Sequence, residues 1–498
     1  MRKLVILIHR YLGIGLALVF VLWFASGFAI IYTGGMPTLT EHERLTRLPN
    51  LDLESISIAP SQAQQLVRAS SVPKLTTVMG RSAYQFSENN GGIVFADDGS
   101  ILSSSMISSR QIISDFTGAE DNAIERIGRI EEIDQWTIGL RGELPLEKFR
   151  VVDDARTEVY VSPRWGQVIL VTTSVDRFLA WIGAIPHWLY FVDLRRNTAL
   201  WSDVVIWLSS LGSILASLGI VLIFTQLRST KPFSFSKVIP YNGILRWHYI
   251  TGLCFGLVTL TWVFSGLLSM DPYEWTRARG LTIDRSLLQG GDIELQRFDK
   301  LNQQATQNEI YDSLAGAELK EIEFKRLQGD YYIGAVKSDS DSTWGFGRQL
   351  IRLDDLETKQ DLFDTGYIIE QLGESQAASI DSADILREYD SYYYSRNSAR
   401  GPSKPLPVLR VRFDDSVGSS LYVDLNSSEV VFQSNASRRM ERWLYNGFHS
   451  LDFGFWYGSR PIWDIVVILL LSGGLVLTVI GTYIGIRRLY LNTREILS

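Results

Sequence analysis

The sequence predicts an α-helical membrane protein with four transmembrane helices in two parallel pseudo-two-fold repeats and two external α+β domains. Three observations predict this fold. The 498 residues contain four long apolar stretches, the second half of the chain repeats the first, and the segments between the stretches alternate polar and apolar residues over short runs. Hydrophobic residues make up only 46% of the chain, so their clustering rather than their abundance indicates a membrane.

The apolar stretches are the first element of this prediction. Each is long enough to cross a bilayer, and together they cover residues 11–32, 204–224, 249–270 and 465–486. The first has 22 residues without a charge, about 33 Å as a helix. It is too long for a typical signal peptide and no clear A-x-A site follows it, so we expect a retained anchor.

Lysine and arginine predict the orientation. The N-terminus, the connector between the second and third stretches, and the C-terminal tail together hold ten basic residues and one acidic residue. The positive-inside rule therefore puts all three in the cytoplasm. The rest of the chain keeps 38 basic and 54 acidic residues, a charge of −16, which excludes nucleic-acid binding and favours neutral or cationic ligands over anionic ones.

These observations divide the chain into ten predicted segments. They are transmembrane helix 1 with a cytoplasmic N-terminus (1–33), external domain 1 (34–176), an interfacial segment (177–200), transmembrane helix 2 (201–224), a cytoplasmic connector (225–247), transmembrane helix 3 (248–270), external domain 2 (271–438), an interfacial segment (439–462), transmembrane helix 4 (463–486) and a cytoplasmic tail (487–498). Within the external domains, "EVYVS" and "SLYVD" predict strands, and 61–70 predicts a short helix.

Two blocks of sequence occur twice, and neither alignment needs a gap. "HRYLGIGLALVFVLWFASG" starts at His9, and "HYITGLCFGLVTLTWVFSG" starts at His248. "LPLEKFRVVDDARTEVYVSP" from residue 144 matches "LPVLRVRFDDSVGSSLYVDL" from residue 406, and the continued alignment pairs His187 with His449. Because both halves start inside, the repeats are parallel and are related by an axis along the membrane normal.

Four of the five histidines fall into these matched pairs, whereas His42 has no partner. A single histidine at a membrane boundary is most simply an anchor or a hydrogen-bonding residue. Two diverged repeats that keep their histidines in register indicate a function instead. The axis places His9 and His248 at one depth near the cytoplasmic face, and His187 and His449 at another near the external face.

Paired imidazoles without a neighbouring carboxylate or thiol suit axial ligation of a haem iron, whereas zinc usually takes four ligands. The single cysteine, Cys254, excludes C-x-x-C-H haem attachment, an internal disulfide and an iron–sulfur cluster held by this chain's own cysteines. We therefore predict two haem b groups, the inner one ligated by His9 and His248 and the outer one by His187 and His449.

Three further residues are candidate haem contacts. Gly13 and Gly252 lie one turn from the inner histidines, where a missing side chain would let a flat macrocycle approach; ordinary helix packing also explains them. Arg10 would offset a haem propionate, or would simply snorkel to the membrane surface.

Four segments carry a resemblance to a known family, the PepSY-associated transmembrane proteins: "IHRYLGIGLALVFVLWFASG", "ISIAPSQAQQLV", "VRFDDSVGSSLYVD" and "NGFHSLDFGFW". The resemblance covers nearly the whole chain. It implies PepSY-like external domains in the periplasm and a bacterial inner-membrane location. Family members are often iron-regulated, and some resemble ferric-siderophore reductases with two haems between four helices.

The resemblance implies an oxidoreductase that reduces a ferric siderophore. Relatives with a fused flavin and NAD(P)H domain have extra sequence, and here no G-x-G-x-x-G follows a strand, so we expect electrons from a quinol or a separate flavoprotein. Oxygen-rich siderophores favour hard Fe(III), so reduction would release the iron. The alternative is a haem-free PepSY-domain membrane protein with a binding or regulatory role, and a visible spectrum separates the two.

Overall fold

Four long helices dominate the computed structural model, which describes residues 2–87, 92–103, 106–228, 238–274, 281–282, 284, 286–339, 345–375, 378–395, 404–454 and 456–497. By length and composition each can cross a membrane: α1 (Arg2–Thr33), α2 (Thr198–Gln226), α3 (Gly243–Leu268) and α4 (Ile462–Leu497). The four predicted apolar spans are thus confirmed as continuous helices.

The ends of α2, α3 and α4 differ from the predicted boundaries. α3 begins at Gly243, inside the predicted connector 225–247, and ends at Leu268 rather than at 270. α2 begins ahead of 201, because the Asn197 side chain accepts a hydrogen bond from the backbone N–H of Leu200 at 3.0 Å and caps the helix. α4 continues through the predicted tail 487–498 as far as Leu497, in a sequence without proline or glycine. Part of the predicted connector, 229–237, lies outside the described residues.

The four helices pack as a bundle in which α1 and α3 each contact α2 and α4. The shared core includes Phe24 from α1, Leu215 from α2 and Val263 from α3. α4 comes close to this core at Gly474, where an added Cβ would overlap the Phe24 ring. Small residues at such crossings let helix backbones approach closely.

Fourteen strands form three antiparallel sheets in the described part of the chain. The first seven strands are β1 (Lys74–Val78), β2 (Arg81–Gln85), β3 (Ile93–Phe95), β4 (Ile124–Ile130), β5 (Leu146–Val151), β6 (Glu158–Ser162) and β7 (Gln167–Thr172). The others are β8 (Leu319–Leu327), β9 (Asp330–Ser338), β10 (Phe346–Arg352), β11 (Ile380–Leu386), β12 (Val408–Phe413), β13 (Ser420–Asp424) and β14 (Val430–Ser434).

The sheets differ in one respect from the expected pair of external domains. Strands of both segments share one six-stranded sheet with the order β10-β9-β8-β1-β2-β3, in which Leu75 of β1 pairs with Ile322 of β8. Alone, the units β1-β2-β3 and β8-β9-β10 would leave β1 and β8 as unpaired edge strands. The pairing of β1 with β8 covers both of these edges. Glu321, 3% exposed, secures this junction through Arg44 at 2.6 Å and Lys74 at 2.8 Å.

The two four-stranded sheets are built alike. Their orders are β4-β5-β6-β7 and β11-β12-β13-β14, and the register shifts between Tyr160 and Val161 in one sheet and between Tyr422 and Val423 in the other. These positions are aligned in the sequence repeat. The strands predicted from "EVYVS" and "SLYVD" are confirmed as β6 and β13.

Short helices connect these elements. They are Glu41–Arg47, Pro60–Val67, Ser109–Thr117, Ser174–Ile182, Ala184–Trp188, Val192–Arg195, Ser286–Gln289, Gln304–Ser313, Thr365–Ser375, Ala436–Glu441 and Phe448–Ser450, with 3-10 turns at Asp121–Ala123, Ile138–Glu143, Pro272–Glu274 and Leu295–Asn302. A π-helical turn spans Arg442–Gly447. The helix expected at 61–70 is confirmed as Pro60–Val67.

After each four-stranded sheet the chain returns to the bundle through a capped helix. Thr173 and Asp176 form a capping box at the start of Ser174–Ile182, and Asn435 caps Ala436–Glu441. His187 lies in the next helix, Ala184–Trp188, and His449 lies in Phe448–Ser450, which follows the π-helical turn Arg442–Gly447. This route brings the two histidines to the ends of α1 and α3.

Candidate functional site

The inner histidines face each other between α1 and α3. The ring centroids of His9 and His248 are 6.5 Å apart, with an angle of 44° between the ring planes. Each ring packs on a glycine of another helix: a Cβ added at Gly219 of α2 would lie 3.0 Å from Cε1 of His9, and one at Gly481 of α4 would lie 3.3 Å from Cε1 of His248. All four helices therefore contribute to this site.

The outer histidines form a second pair at the other end of the bundle. The ring centroids of His187 and His449 are 6.1 Å apart, with 66° between the planes. Nδ1 of each ring lies 3.1 Å from a serine hydroxyl, that of Ser26 on α1 for His187 and that of Ser265 on α3 for His449. The predicted pairing of histidines therefore matches the contacts in the structure.

Hydrogen-bond partners assign the tautomer of these rings. Nδ1 of His9 lies 3.1 Å from the carbonyl oxygen of Leu215, which only accepts, so Nδ1 carries the proton. The Ser26 hydroxyl donates its single proton to the Leu22 carbonyl at 2.7 Å, so it accepts from Nδ1 of His187. Nε2 then keeps its lone pair, which is the form of imidazole that binds a metal.

His449 has the same arrangement. Ser265 donates to the Trp262 carbonyl at 3.0 Å, so its hydroxyl accepts from Nδ1 of His449, and the Trp262 carbonyl is itself 3.2 Å from that nitrogen. Partners of this kind hold a ligating ring in one orientation and raise its basicity. The three assigned rings share the tautomer that metal ligation needs.

The separations fit one metal ion between two rings. Metal–nitrogen bonds of about 2.0–2.1 Å to two opposed imidazoles place the ring centroids about 6 Å apart. The observed 6.5 and 6.1 Å agree with this value. In the part of the chain that the structure describes, no three or more His, Cys, Asp or Glu side chains gather as metal ligands, so both candidate sites offer two protein ligands.

A cavity of about 680 Å³ surrounds the outer pair. This is within the usual size of a cofactor pocket. Both outer histidines line it, with Gly27 and Gly266 beside them. Nine of the other 22 lining residues are aromatic, namely Trp23, Phe24, Trp188, Tyr190, Trp201, Trp262, Tyr445, Tyr457 and Trp463. The cavity is therefore large and apolar enough for a flat macrocycle.

Apolar core residues, among them Leu16 and Phe20 of α1, lie between the two pairs. Ser26, which contacts the outer pair, lies 17 residues after His9 on α1, roughly 25 Å along the axis. Phe24 meets Trp262 across the helices at a centroid distance of 5.7 Å. These residues belong to the bundle core, so the two sites are separated by packed apolar side chains.

Three predicted contacts lie beside the inner pair without touching it in the structure. A Cβ at Gly13 would lie 3.8 Å from Leu215, and one at Gly252 would lie 3.6 Å from Ile223, which is ordinary packing against α2. Arg10 is exposed, and among the described residues it makes no ion pair. The roles of these three residues at a haem remain predictions.

Sequence reasoning missed the residues that position the histidines. Gly219 lies on α2 and Gly481 lies on α4. Neither helix is part of a gap-free alignment, so no repeated glycine marked these positions. Ser26 and Ser265 had a usable signal, because Ser-Gly closes both copies of the aligned span. Their contact with His187 and His449 depends on where the chain returns to the bundle, which the alignment does not contain.

No family model matches this chain, and no curated protein matches it.

Proposed function

We propose that this protein is a b-type di-haem electron-transfer protein of the bacterial inner membrane that reduces ferric siderophores or other ferric chelates on the periplasmic side. One observation carries the proposal: two histidine pairs, each at the separation of one bis-imidazole metal, lie at opposite ends of a four-helix bundle. Ferric-chelate reduction makes the protein an oxidoreductase.

The chain's own residues divide the task. His9 and His248 hold the inner haem, and His187 and His449 hold the outer one. When bound, haem supplies one-electron chemistry that amino-acid side chains lack. Ser26 and Ser265 orient the outer imidazoles through their contacts with Nδ1.

The proposal includes the two parallel repeats and the PepSY-associated family. The matched register shifts in the two four-stranded sheets and the matched histidine–serine contacts support the repeats. With both termini in the cytoplasm and the sheets in the periplasm, the outer pair lies on the side where a chelate would arrive. The lipid bilayer surrounds the bundle, and a quinol or a separate flavoprotein supplies the electrons.

Anaerobic stopped-flow oxidation tests this function. Dithionite-reduced protein is mixed with a ferric siderophore, and a ferrous chelator traps the Fe(II) that forms. We expect His449→Ala to slow oxidation at matched inner-haem content, whereas His42→Ala, which changes a histidine of the external region, oxidises as wild type does. Equal rates for all three proteins would show that electrons leave elsewhere.

A further inference from the structure

A second pocket, of about 420 Å³, lies beside the π-helical turn Arg442–Gly447. It is separate from the cavity of the outer histidines, and its lining combines cations and aromatic rings. The lining residues are Tyr392, Tyr394, Ser395, Lys404, Phe432, Ser434, Arg438, Glu441, Arg442 and Asn446.

Arg442 is the buried donor of this pocket. The residue is 6% exposed, and its guanidinium carbon lies 4.7 Å from the centre of the Tyr394 ring and 5.3 Å from that of Trp443. Nε donates to the Ser391 carbonyl at 3.2 Å, and Nη2 lies 3.5 Å from an Asp452 carboxylate oxygen. Nη1 is buried and has no hydrogen-bond partner among the described residues, and such a donor is stabilised when an acceptor reaches it.

The other charges of the pocket are mostly positive. Lys404 and Arg438 line it, and the Lys404 ammonium lies 4.0 Å from the centre of the Phe432 ring. The one carboxylate of the lining is Glu441. Burial raises its pKa, against the opposing charge of Arg438. The pocket therefore presents cations beside aromatic faces, a combination that favours an anion carrying a ring.

The two arginines of this pocket have no counterpart in the first half of the chain. In the gap-free alignment, Arg438 corresponds to Asp176 and Arg442 corresponds to Ala180. Asp176 serves its own helix, since it completes the capping box with Thr173. The shared fold therefore does not require the arginines, and a ligand specific to the second half accounts for them.

The pocket adjoins the outer histidine pair. The Tyr445 ring lies 5.2 Å from the His449 ring and lines the cavity of the outer pair. The next residue, Asn446, lines the cationic pocket, and its carbonyl accepts from the Asp452 backbone N–H at 3.2 Å. A ligand in this pocket is thus held one helical turn from the proposed outer haem ligand.

We propose that this pocket binds an organic anion with aromatic groups, of the class of ferric chelates with catecholate donors. The claim that the bound anion accepts the electron rests on the proposed function, whereas the claim that the pocket binds the anion does not. The charge of −16 on the external segments predicts the opposite preference. Salt screens that charge beyond about 8 Å, whereas the pocket cations act at contact distance.

Isothermal titration of the purified full-length protein with gallium(III) chelates tests the proposal without electron transfer, because gallium(III) is not reduced under these conditions. We expect a trianionic gallium tris-catecholate to bind more tightly than a gallium trihydroxamate whose ligand carries a protonated amine, which makes that complex cationic. Lys404→Gln and Arg438→Gln should each weaken tris-catecholate binding about fivefold, the effect of one surface charge at close range. Arg387→Gln removes an exposed arginine outside the pocket and should leave affinity unchanged.

Three results would overturn the proposal: no binding of the tris-catecholate, equal affinity for the two chelates, or the same affinity in Lys404→Gln and Arg438→Gln as in Arg387→Gln. Haem content, read from the absorption spectrum of the same samples, reports separately on the proposed function. If a haem-free protein binds the tris-catecholate, the anion-binding pocket is supported, but the role of the bound anion as electron acceptor is refuted.

Discussion

A methyl group at Gly219 should disturb the inner haem and leave the outer one unchanged. The new carbon would lie 3.0 Å from Cε1 of His9, whereas ordinary contacts begin at 3.4 Å, so the ring would move by about 0.4 Å or more. The same ring donates to the Leu215 carbonyl at 3.1 Å, one turn earlier on α2. Pushing the ring away from Gly219 therefore lengthens or bends this hydrogen bond.

The size of the effect follows from that bond. A neutral hydrogen bond contributes about 0.5–1.5 kcal/mol, so Gly219→Ala should weaken inner-haem binding about 2- to 13-fold. The measurement is haem retention during dilution, combined with a redox titration that resolves the two components. Gly15→Ala is the matched control, because no atom lies within 4 Å of its added Cβ and it also replaces a helical glycine.

Identical retention and midpoint potentials in Gly219→Ala and Gly15→Ala would refute this reasoning, since the contact with His9 would then be irrelevant to the haem. A change in the outer component alone would refute the assignment of His9 to the inner site.

The remaining predictions concern the outer pair and the sheet junction. His187→Ala and His449→Ala should each abolish the same haem and spare the other, as counted by redox titration; loss of different haems would contradict the pairing. Ser26→Ala removes the acceptor of the His187 ring and should weaken outer-haem retention about tenfold; retention equal to wild type would contradict an orienting role. At Glu321, burial alone would raise the carboxyl pKa, but the hydrogen bond from Arg44 and nearby cations outweigh it and hold the pKa below its usual value. Its stabilisation is therefore present above the unfolded-state pKa and is lost as pH falls through the folded-state pKa. Glu321→Gln should lower the free energy of unfolding at neutral pH by about 2 kcal/mol, which is less than for a fully buried ion pair because Arg44 is partly exposed. The melting temperature of this variant should also depend less on pH in the acid range. An unchanged pH profile would show that this junction does not govern acid stability.

Sequence patterns predicted the local elements well, because those elements depend on neighbours in the chain. Apolar length predicted α1 to α4, and alternation predicted β6 and β13. The repeat also predicted which histidines meet, because residues at matching positions of two repeats lie opposite each other when they are close to a two-fold axis. That inference needed no knowledge of side-chain packing.

Contacts between distant segments were not predictable in the same way. The pairing of β1 with β8 joins strands from opposite halves of the chain. It depends on which edge strands remain unpaired after each half has folded, and no local pattern contains that information. The placement of Gly219 under His9 depends on the rotation of α2 about its axis, and α2 has apolar residues on all sides. The cationic pocket combines residues 392 to 446, which no single motif contains.

The most direct test of the central claim is a haem count with the spin state of the iron. Purified protein from haem-replete cells should contain about two haems per chain, extractable by acidified organic solvent because Cys254 offers no attachment motif. Electron paramagnetic resonance of the oxidised protein should show low-spin ferric iron only, as two imidazole ligands require. A folded, colourless protein, or high-spin iron with an open axial position, would contradict the assignment of His9, His248, His187 and His449 as ligands.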